Sequence, residues 1–226
     1  MGSINDFLED TLDIAQGHFK VDCGCSEYHF YATCGHVNRT MILIDTLYKE
    51  PTLDFFEDSD RCIVMDAMKL HRDRTVRRLA LREILEDVRH ILVHAMMEGK
   101  VVVVRCGDVV CDFSTLNDEH CVDLDPLYQS YPPYSKLAYV PSCWLLRGGA
   151  ELRGNDDWAR AMYRRPELDR ECGPMKCHPH FGVIFTTTIQ EEQVEQRLFD
   201  GVVGLPGKEF DAIDIADVLE ASVEHK

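Results

Sequence analysis

The sequence has few basic residues and no long apolar run. Lysine and arginine total 24 against 40 acidic residues, which leaves a formal net charge of −16 over 226 residues. A chain this acidic neutralises few phosphates, so nucleic acid is not expected as a partner. No apolar stretch reaches 18 residues, and the acidic start lacks the pattern of a signal peptide. We therefore expect a cytoplasmic globular protein that neither spans nor binds a membrane.

The common catalytic signatures are also missing. The sequence contains no G-x-S-x-G elbow, no H-E-x-x-H pair and no G-x-G-x-x-G fingerprint. Internal repeats and low-complexity segments are absent as well. Ten cysteines are present, but without an export signal they are interpreted as reduced thiols rather than disulfides.

The negative charge is concentrated at the two ends of the chain. Residues 1–60 carry a net charge of −9 and residues 191–226 a net charge of −7, while the sequence between them is balanced. Two interpretations stay open for these ends. They are either solvated acidic faces or surfaces that dock onto a basic partner.

Helical patterns alternate with short apolar runs along the chain. Ser3 is expected to cap a first helix, a second is predicted over Thr40–Lys49, and a long one runs from near Asp73 to a stop at Gly99. A loop is predicted at Pro51 and the acidic residues 54–60. The predicted strands are Tyr28–Ala32, Cys62–Met65, Val101–Val104, Gly182–Thr187 and Phe210–Ile215.

This alternation predicts an α/β fold. We expect one domain over residues 1–226, with a mostly parallel five-stranded sheet and helices on both faces. Val101–Val104 is apolar at every position, which is typical of a strand in the interior of such a sheet. The irregular stretch 106–180 is predicted to be an insertion between the third and fourth strands.

The loop after the first predicted strand matches a phosphate-binding loop at one position. Aligned on G-x-x-x-x-G-K-[ST], Thr40 matches the hydroxyl position, and Thr33 and Asn38 replace the two glycines. Arg39 replaces the lysine, although a planar guanidinium does not reproduce a compact ammonium charge. The alternative interpretation is an ordinary strand-to-helix turn. After the third strand, Asp108 is the nearest candidate magnesium ligand, but Arg105 places the wrong sign beside a metal.

The segment His178–Thr188, with sequence HPHFGVIFTTT, resembles the H-P-x-F-R-x-x-x-T-T strand of dynein-type AAA+ modules. Gly182 stands in place of the arginine of that pattern, and Thr187 lies among the hydroxyls at the sensor position. The resemblance implies a degenerate P-loop, AAA+-like domain with a vestigial nucleotide site. That site consists of Thr33, Asn38, Arg39, Thr40, Asp108 and Thr187.

Two further groups of residues are candidates for other roles. A structural zinc site is an alternative, because soft ligands flank the first predicted strand and recur downstream. Its ligands would come from Cys23, Cys25, Cys34, His36, Cys172, Cys177, His178 and His180, although their spacing is irregular. Aromatic and arginine side chains of the insertion are candidate protein contacts. These are Tyr131, Tyr134, Trp144, Trp158 and Arg164.

The sequence therefore favours a non-catalytic interaction subunit that needs no cofactor and no metal. Its expected partners are proteins of a larger assembly, and the dynein-like resemblance implies an axonemal setting in a cilium or flagellum. The alternatives are an active NTPase or nucleotide kinase with an atypical phosphate loop, and a zinc-stabilised binding module.

Overall fold

The fold is built on one five-stranded parallel sheet. The computed structural model describes residues 3–16, 40–108, 177–194, 197 and 210–218. The strands lie in the order β2-β3-β4-β1-β5, and every neighbouring pair is parallel. They are β1 (Thr40–Ile44), β2 (Cys62–Asp66), β3 (Val101–Gly107), β4 (Gly182–Thr187) and β5 (Phe210–Asp214).

Helices cover both faces of this sheet. They are α1 (Ile4–Ala15), α2 (Pro51–Asp58), α3 (Ala67–Thr75), α4 (Leu81–Glu98) and α5 (Glu191–Val194). One face packs on α1 and α2 through Leu8 and Phe56. The other packs on α3 and α4 through Leu70 and Val88. The predicted α/β architecture with helices on both faces is confirmed.

The interior position of β3 is confirmed too. β3 lies between β2 and β4, and Val101–Val104 are all 0% exposed. Their side chains alternate between the two clusters, with Val101 and Val103 on the α1–α2 face and Val102 and Val104 on the α3–α4 face. The strand continues through Cys106 and Gly107, so the insertion does not begin at Cys106 as predicted.

The Ser3 cap of α1 is also confirmed. The backbone N–H of Asp6 donates to Ser3 Oγ at 3.4 Å, and that of Ser3 donates to a carboxylate oxygen of Asp6 at 2.5 Å. This reciprocal pair is a capping box, which satisfies two of the free N–H groups at the helix start.

The helix predicted over Thr40–Lys49 is wrong, because this segment begins with β1. Met41–Ile44 is a continuous apolar run that is buried between β4 and β5. The apolar spacing that suggested a helix included Tyr48, which is 89% exposed in the loop that follows. The other predicted strand of this region, Tyr28–Ala32, lies outside the described residues.

The loop predicted from Pro51 through residues 54–60 is largely a helix. Pro51 occupies the first turn of α2, where a missing N–H costs nothing, and Leu53 and Phe56 are buried. Of the acidic residues that suggested a loop, Asp54, Glu57 and Asp58 lie on the exposed side of this helix, and Asp60 follows it.

The long helix predicted from near Asp73 is two helices, α3 and α4, separated by residues 76–80. Arg78 adopts a left-handed backbone conformation with φ of 55°, which ends the helical path. The predicted stop at Gly99 is confirmed, with φ of 70°. A side chain there would also collide with the ring of His178.

Candidate functional site

The carboxyl ends of β1 and β4 form the topological switch point of the sheet. The chain leaves β1 through α2, which packs on one face, whereas α5 follows β4 and packs on the other face through Val194. β1 and β4 are neighbours, so their following segments diverge from a shared edge. Ligands of parallel α/β sheets bind in this crevice.

Asp45, the first residue after β1, lies buried at this crevice and forms hydrogen bonds across it. It is 1% exposed, and its backbone N–H donates to the carbonyl of Thr187 on β4 at 2.8 Å. One carboxylate oxygen accepts hydrogen bonds from the backbone N–H of Thr52 at 2.9 Å and from its hydroxyl at 2.6 Å. The other oxygen accepts from the N–H of Leu47 at 3.2 Å. Asp45 therefore joins three segments at the edge of the sheet.

The Asp45 carboxylate lies at the N-terminus of α2, where a bound anion would lie. Thr52 is the second residue of α2, and its N–H is one of the free donors at the helix N-terminus. Helix N-termini attract anions, because free N–H groups and the helix dipole act together. Here the protein supplies the anion itself.

An ion pair joins the loop after β1 to β3. Lys49 and Glu50 both have left-handed backbones, with φ of 71° and 46°. The Glu50 carboxylate accepts two hydrogen bonds from Arg105 on β3, at 2.6 Å from Nη2 and 3.1 Å from Nε. Asp66 lies 3.8 Å from the same guanidinium. These contacts raise the pKa of Arg105, chiefly through the hydrogen bond to Glu50.

The end of β4 is tied to the end of β3 through Thr187. Its hydroxyl donates to the carbonyl of Gly107 at 2.9 Å and accepts from the N–H of Ile189 at 3.2 Å. The N–H of Thr188 donates to the same Gly107 carbonyl at 3.1 Å. The buried hydroxyl of Thr186 has no hydrogen-bond partner in the part of the chain that the structure describes.

The structure does not bring the predicted nucleotide-site residues together. Thr187 and the exposed Asp108 follow strands at the carboxyl edge, and the Asp108 carbonyl accepts a hydrogen bond from Arg197 at 2.9 Å. Thr40 lies at the opposite, amino edge as the first residue of β1, paired with Phe210. Thr40 is therefore not the start of a helix that could hold phosphate. Thr33, Asn38 and Arg39 lie outside the described residues.

The residues that do follow β1 were missed at the sequence level. From Asp45 to Thr52 the spacing is that of G-x-x-x-x-G-K-[ST], with Asp45 and Glu50 at the glycine positions and Pro51 at the lysine position. The signal was the apolar run that ends at Ile44, eight residues before Thr52. It was overlooked because Thr40–Lys49 also fits helical spacing.

The remaining candidates lie mainly outside the described residues. This holds for the five interface candidates Tyr131, Tyr134, Trp144, Trp158 and Arg164, and for the zinc candidates Cys23, Cys25, Cys34, His36 and Cys172. Cys177, His178 and His180 are described and lie before β4, at the amino edge. Within the described ranges no three histidine, cysteine or acidic side chains are grouped as a metal site would require.

The comparisons with known proteins add no relative. No protein-family model matches the sequence, and neither a curated protein nor a solved structure is significantly similar to it. Among the described helices, none combines the length and the apolar character needed to cross a membrane.

Proposed function

We propose that this protein is a non-catalytic interaction subunit, built on a degenerate P-loop-like domain whose own side chains occupy the phosphate site. The observation that carries the proposal is the Asp45 carboxylate at the start of α2. This buried carboxylate already accepts hydrogen bonds from the N–H and the hydroxyl of Thr52. These two donors are therefore not available to a phosphate group.

The chemistry of the neighbouring positions supports the same conclusion. A phosphate loop needs glycines so that successive N–H groups can turn toward phosphate oxygens, and a lysine for the terminal phosphates. Asp45 and Glu50 bring negative charge to the two glycine positions, and Pro51 removes both the cation and an N–H group. Phosphoryl transfer depends on positioning and charge stabilisation, which are the properties altered here.

The Arg105 side chain on β3 also supports the proposal that the domain is non-catalytic. A P-loop enzyme holds magnesium with an acidic residue near this position. Arg105 instead pairs with Glu50 across the edge of the sheet, so the charges of the two neutralise each other. In the sheet, β1 lies between β5 and β4, so the segment from Asp45 to Thr52 begins beside the strand of the dynein-like segment.

The setting follows from the resemblance of His178–Thr188 to dynein-type modules. We propose that the protein acts in the cytoplasm as a building block of a larger protein assembly, with the axoneme of a cilium or flagellum as the expected place. The proposed setting rests on this resemblance alone, by association. The proposal that the protein is non-catalytic rests on the phosphate site that Asp45 fills.

A thermal-shift scan with ATP and GTP, each with and without magnesium, tests the proposal. Ligand at a hundredfold excess over Kd stabilises a native protein by about 2.7 kcal/mol, so binding would raise the melting temperature by several degrees. We expect no rise for the natural chain. The matched variant carries Asp45→Gly, Glu50→Gly, Pro51→Lys and Arg105→Asp, which rebuild the loop and the acidic position. We expect nucleotide to stabilise this variant. Nucleotide turnover by the natural chain that Thr52→Ala abolishes would contradict the proposal.

A further inference from the structure

The last turn of α3 and the segment that joins it to α4 form a basic and apolar surface. In residues 72–80, which we call the basic connector, every residue except Asp73 is exposed. Val76 is 73% exposed and Leu79 is 38% exposed. The Val76 and Leu79 side chains are apolar surface that a partner can bury, and the arginines beside them can form the charged rim of the contact.

Three arginines of the basic connector lack an acidic partner among the described residues. Arg77 forms an ion pair with Asp73 at 2.9 Å, whereas Arg72, Arg74 and Arg78 form none in that part of the chain. The connector thus adds local positive charge to a protein with a net charge of −16.

The basic connector is nevertheless held in one conformation. The N–H groups of Val76 and Arg77 donate to the carbonyl of Arg72 at 2.9 and 3.0 Å, and that of Leu79 donates to the carbonyl of Asp73 at 3.0 Å. Arg78 has φ of 55°, a strained conformation for a residue other than glycine. A pre-organised surface loses little conformational entropy when it binds.

A complementary surface lies between α1 and α2. It is an open groove of about 580 Å³, which we call the acidic groove, with Phe55 and Pro51 in its wall. Its one arginine, Arg61, is already bound by Glu9 at 2.7 Å and by Asp13 at 2.5 Å. The other charged residues of the wall are Asp54, Asp58 and Asp60, and within the described residues none of these three forms an ion pair.

These two surfaces belong to opposite faces of the sheet. α1 and α2 pack on the face that contains Val103, and α3 and α4 pack on the face that contains Val102. The basic connector of one molecule therefore cannot reach its own acidic groove. Two molecules can join them, because an exposed basic surface with aliphatic side chains complements an acidic groove with an aromatic wall.

We propose that a second copy of this chain occupies the acidic groove, with its basic connector inserted between α1 and α2. The contact uses different surfaces on the two copies, so the copy that inserts its connector keeps a free groove and the other copy keeps a free connector. Such heterologous contacts extend into rings or open filaments. The inference rests on the proposed function only in that the domain works by contact.

Sedimentation velocity over a concentration series tests this self-association. At about 0.15 M salt the natural chain is expected to associate as its concentration rises, and roughly 1 M salt should weaken the association by screening the charges. The variants are Arg74→Glu with Arg78→Glu, and Asp54→Lys with Asp58→Lys. All four residues are exposed, so we expect both variants to fold. Thermal melting followed by circular dichroism checks this. Each variant alone is expected to associate roughly tenfold or more weakly.

Mixing the two charge-reversed variants gives the decisive result. The acidic connector of the first then faces the basic groove of the second, and the unaltered surfaces also complement each other. We expect the equimolar mixture to regain the association that each variant lost. A natural chain that stays monomeric, variants that associate normally, or a mixture that does not associate would each overturn the proposal. These outcomes are independent of nucleotide binding, so they are distinguishable from failure of the proposed function.

Discussion

The two edges of the sheet are both crossed by charged side chains, but with different consequences. At the amino edge, Arg61 bonds to Glu9 and Gln16, and Gln16 donates to the Gly99 carbonyl at 2.9 Å. At the carboxyl edge, Asp45 holds the start of α2. The Glu9 side chain is 53% exposed, whereas Asp45 is 1% exposed. Water screens the first network and leaves the second almost unscreened.

The carboxyl edge is the edge that bears on ligand binding. Charges at the amino edge fasten α1 to the sheet, which any α/β domain needs. Charges at the carboxyl edge stand where a parallel α/β sheet binds its ligand. We propose that the buried carboxylate in that place excludes an anionic ligand in addition to stabilising the fold.

The largest effect is expected from a charged substitution in the central strand β3. Val103→Asp places an unpaired carboxylate at a position with 0% exposure, and burial of an isolated charge has no compensation there. We expect no folded protein, as measured by the loss of a cooperative urea transition. Val64→Asp is the control, because Val64 pairs with Val103 but belongs to the edge strand β2 and is only half-buried. A cooperative transition in Val103→Asp near that of the natural chain would contradict the interior position of β3.

The next effect contrasts the two edges directly. Asp45→Ala removes the acceptor for three hydrogen bonds and leaves buried donors of Thr52 unsatisfied, so we expect the free energy of unfolding to fall by about 3 kcal/mol. Glu9→Ala at the exposed amino edge should cost at most about 1 kcal/mol. Urea denaturation of both variants measures the difference. Equal losses would show that burial does not separate the two edges.

The sequence predicts the central strand of this fold better than it predicts the carboxyl edge of the sheet. Val101–Val104 is apolar at every position, so its place inside a parallel sheet follows from composition alone. Met41–Ile44 is similarly apolar, but Leu47 and Tyr48 complete a helical pattern with it. Only the pairing of Met41 with Ile184, far along the chain, decides that it is a strand. Local periodicity cannot represent such a contact.

The site shows the same limit. Thr187 was predicted from the resemblance and does lie at the switch point, and Arg105 was noticed as the wrong charge for a metal. Its partner Glu50 lies 55 residues away, so nothing in the local sequence connects them. Asp45 was missed because the motif demands glycine at its position. The role of Asp45 becomes visible only once the fold places its carboxylate at the start of α2.

A smaller effect is expected for the Glu50–Arg105 pair. Both side chains are about a quarter exposed, at 23% and 27%, so solvent screens part of the interaction. We expect Glu50→Gln and Arg105→Met each to lower the free energy of unfolding by about 1 kcal/mol, with a coupling of similar size in the double-mutant cycle. Additive losses in the double variant would mean that the two charges do not stabilise each other.

The smallest effect concerns His178 at the amino edge. Burial, and to a lesser extent the nearby His180, lowers the pKa of His178 below its ordinary value of 6.5. Its Nδ1 accepts a hydrogen bond from the N–H of His180 at 3.2 Å, which requires that nitrogen to be unprotonated. The folded state thus favours neutral His178. The associated stability is present above pH 6.5, and it is lost as the pH falls through the lowered pKa.

An NMR titration of the His178 ring measures this shift. His180→Ala removes the neighbouring charge but not the burial, so the pKa should rise only part of the way toward its ordinary value. A His178 pKa at or above 6.5 in the natural chain would contradict this account. The expected shift is small because the His178 ring, although packed against Gly99, is not fully enclosed. That is the physical difference between the edges, since the His178 ring at the amino edge is partly exposed, whereas the Asp45 carboxylate is buried beneath the start of α2.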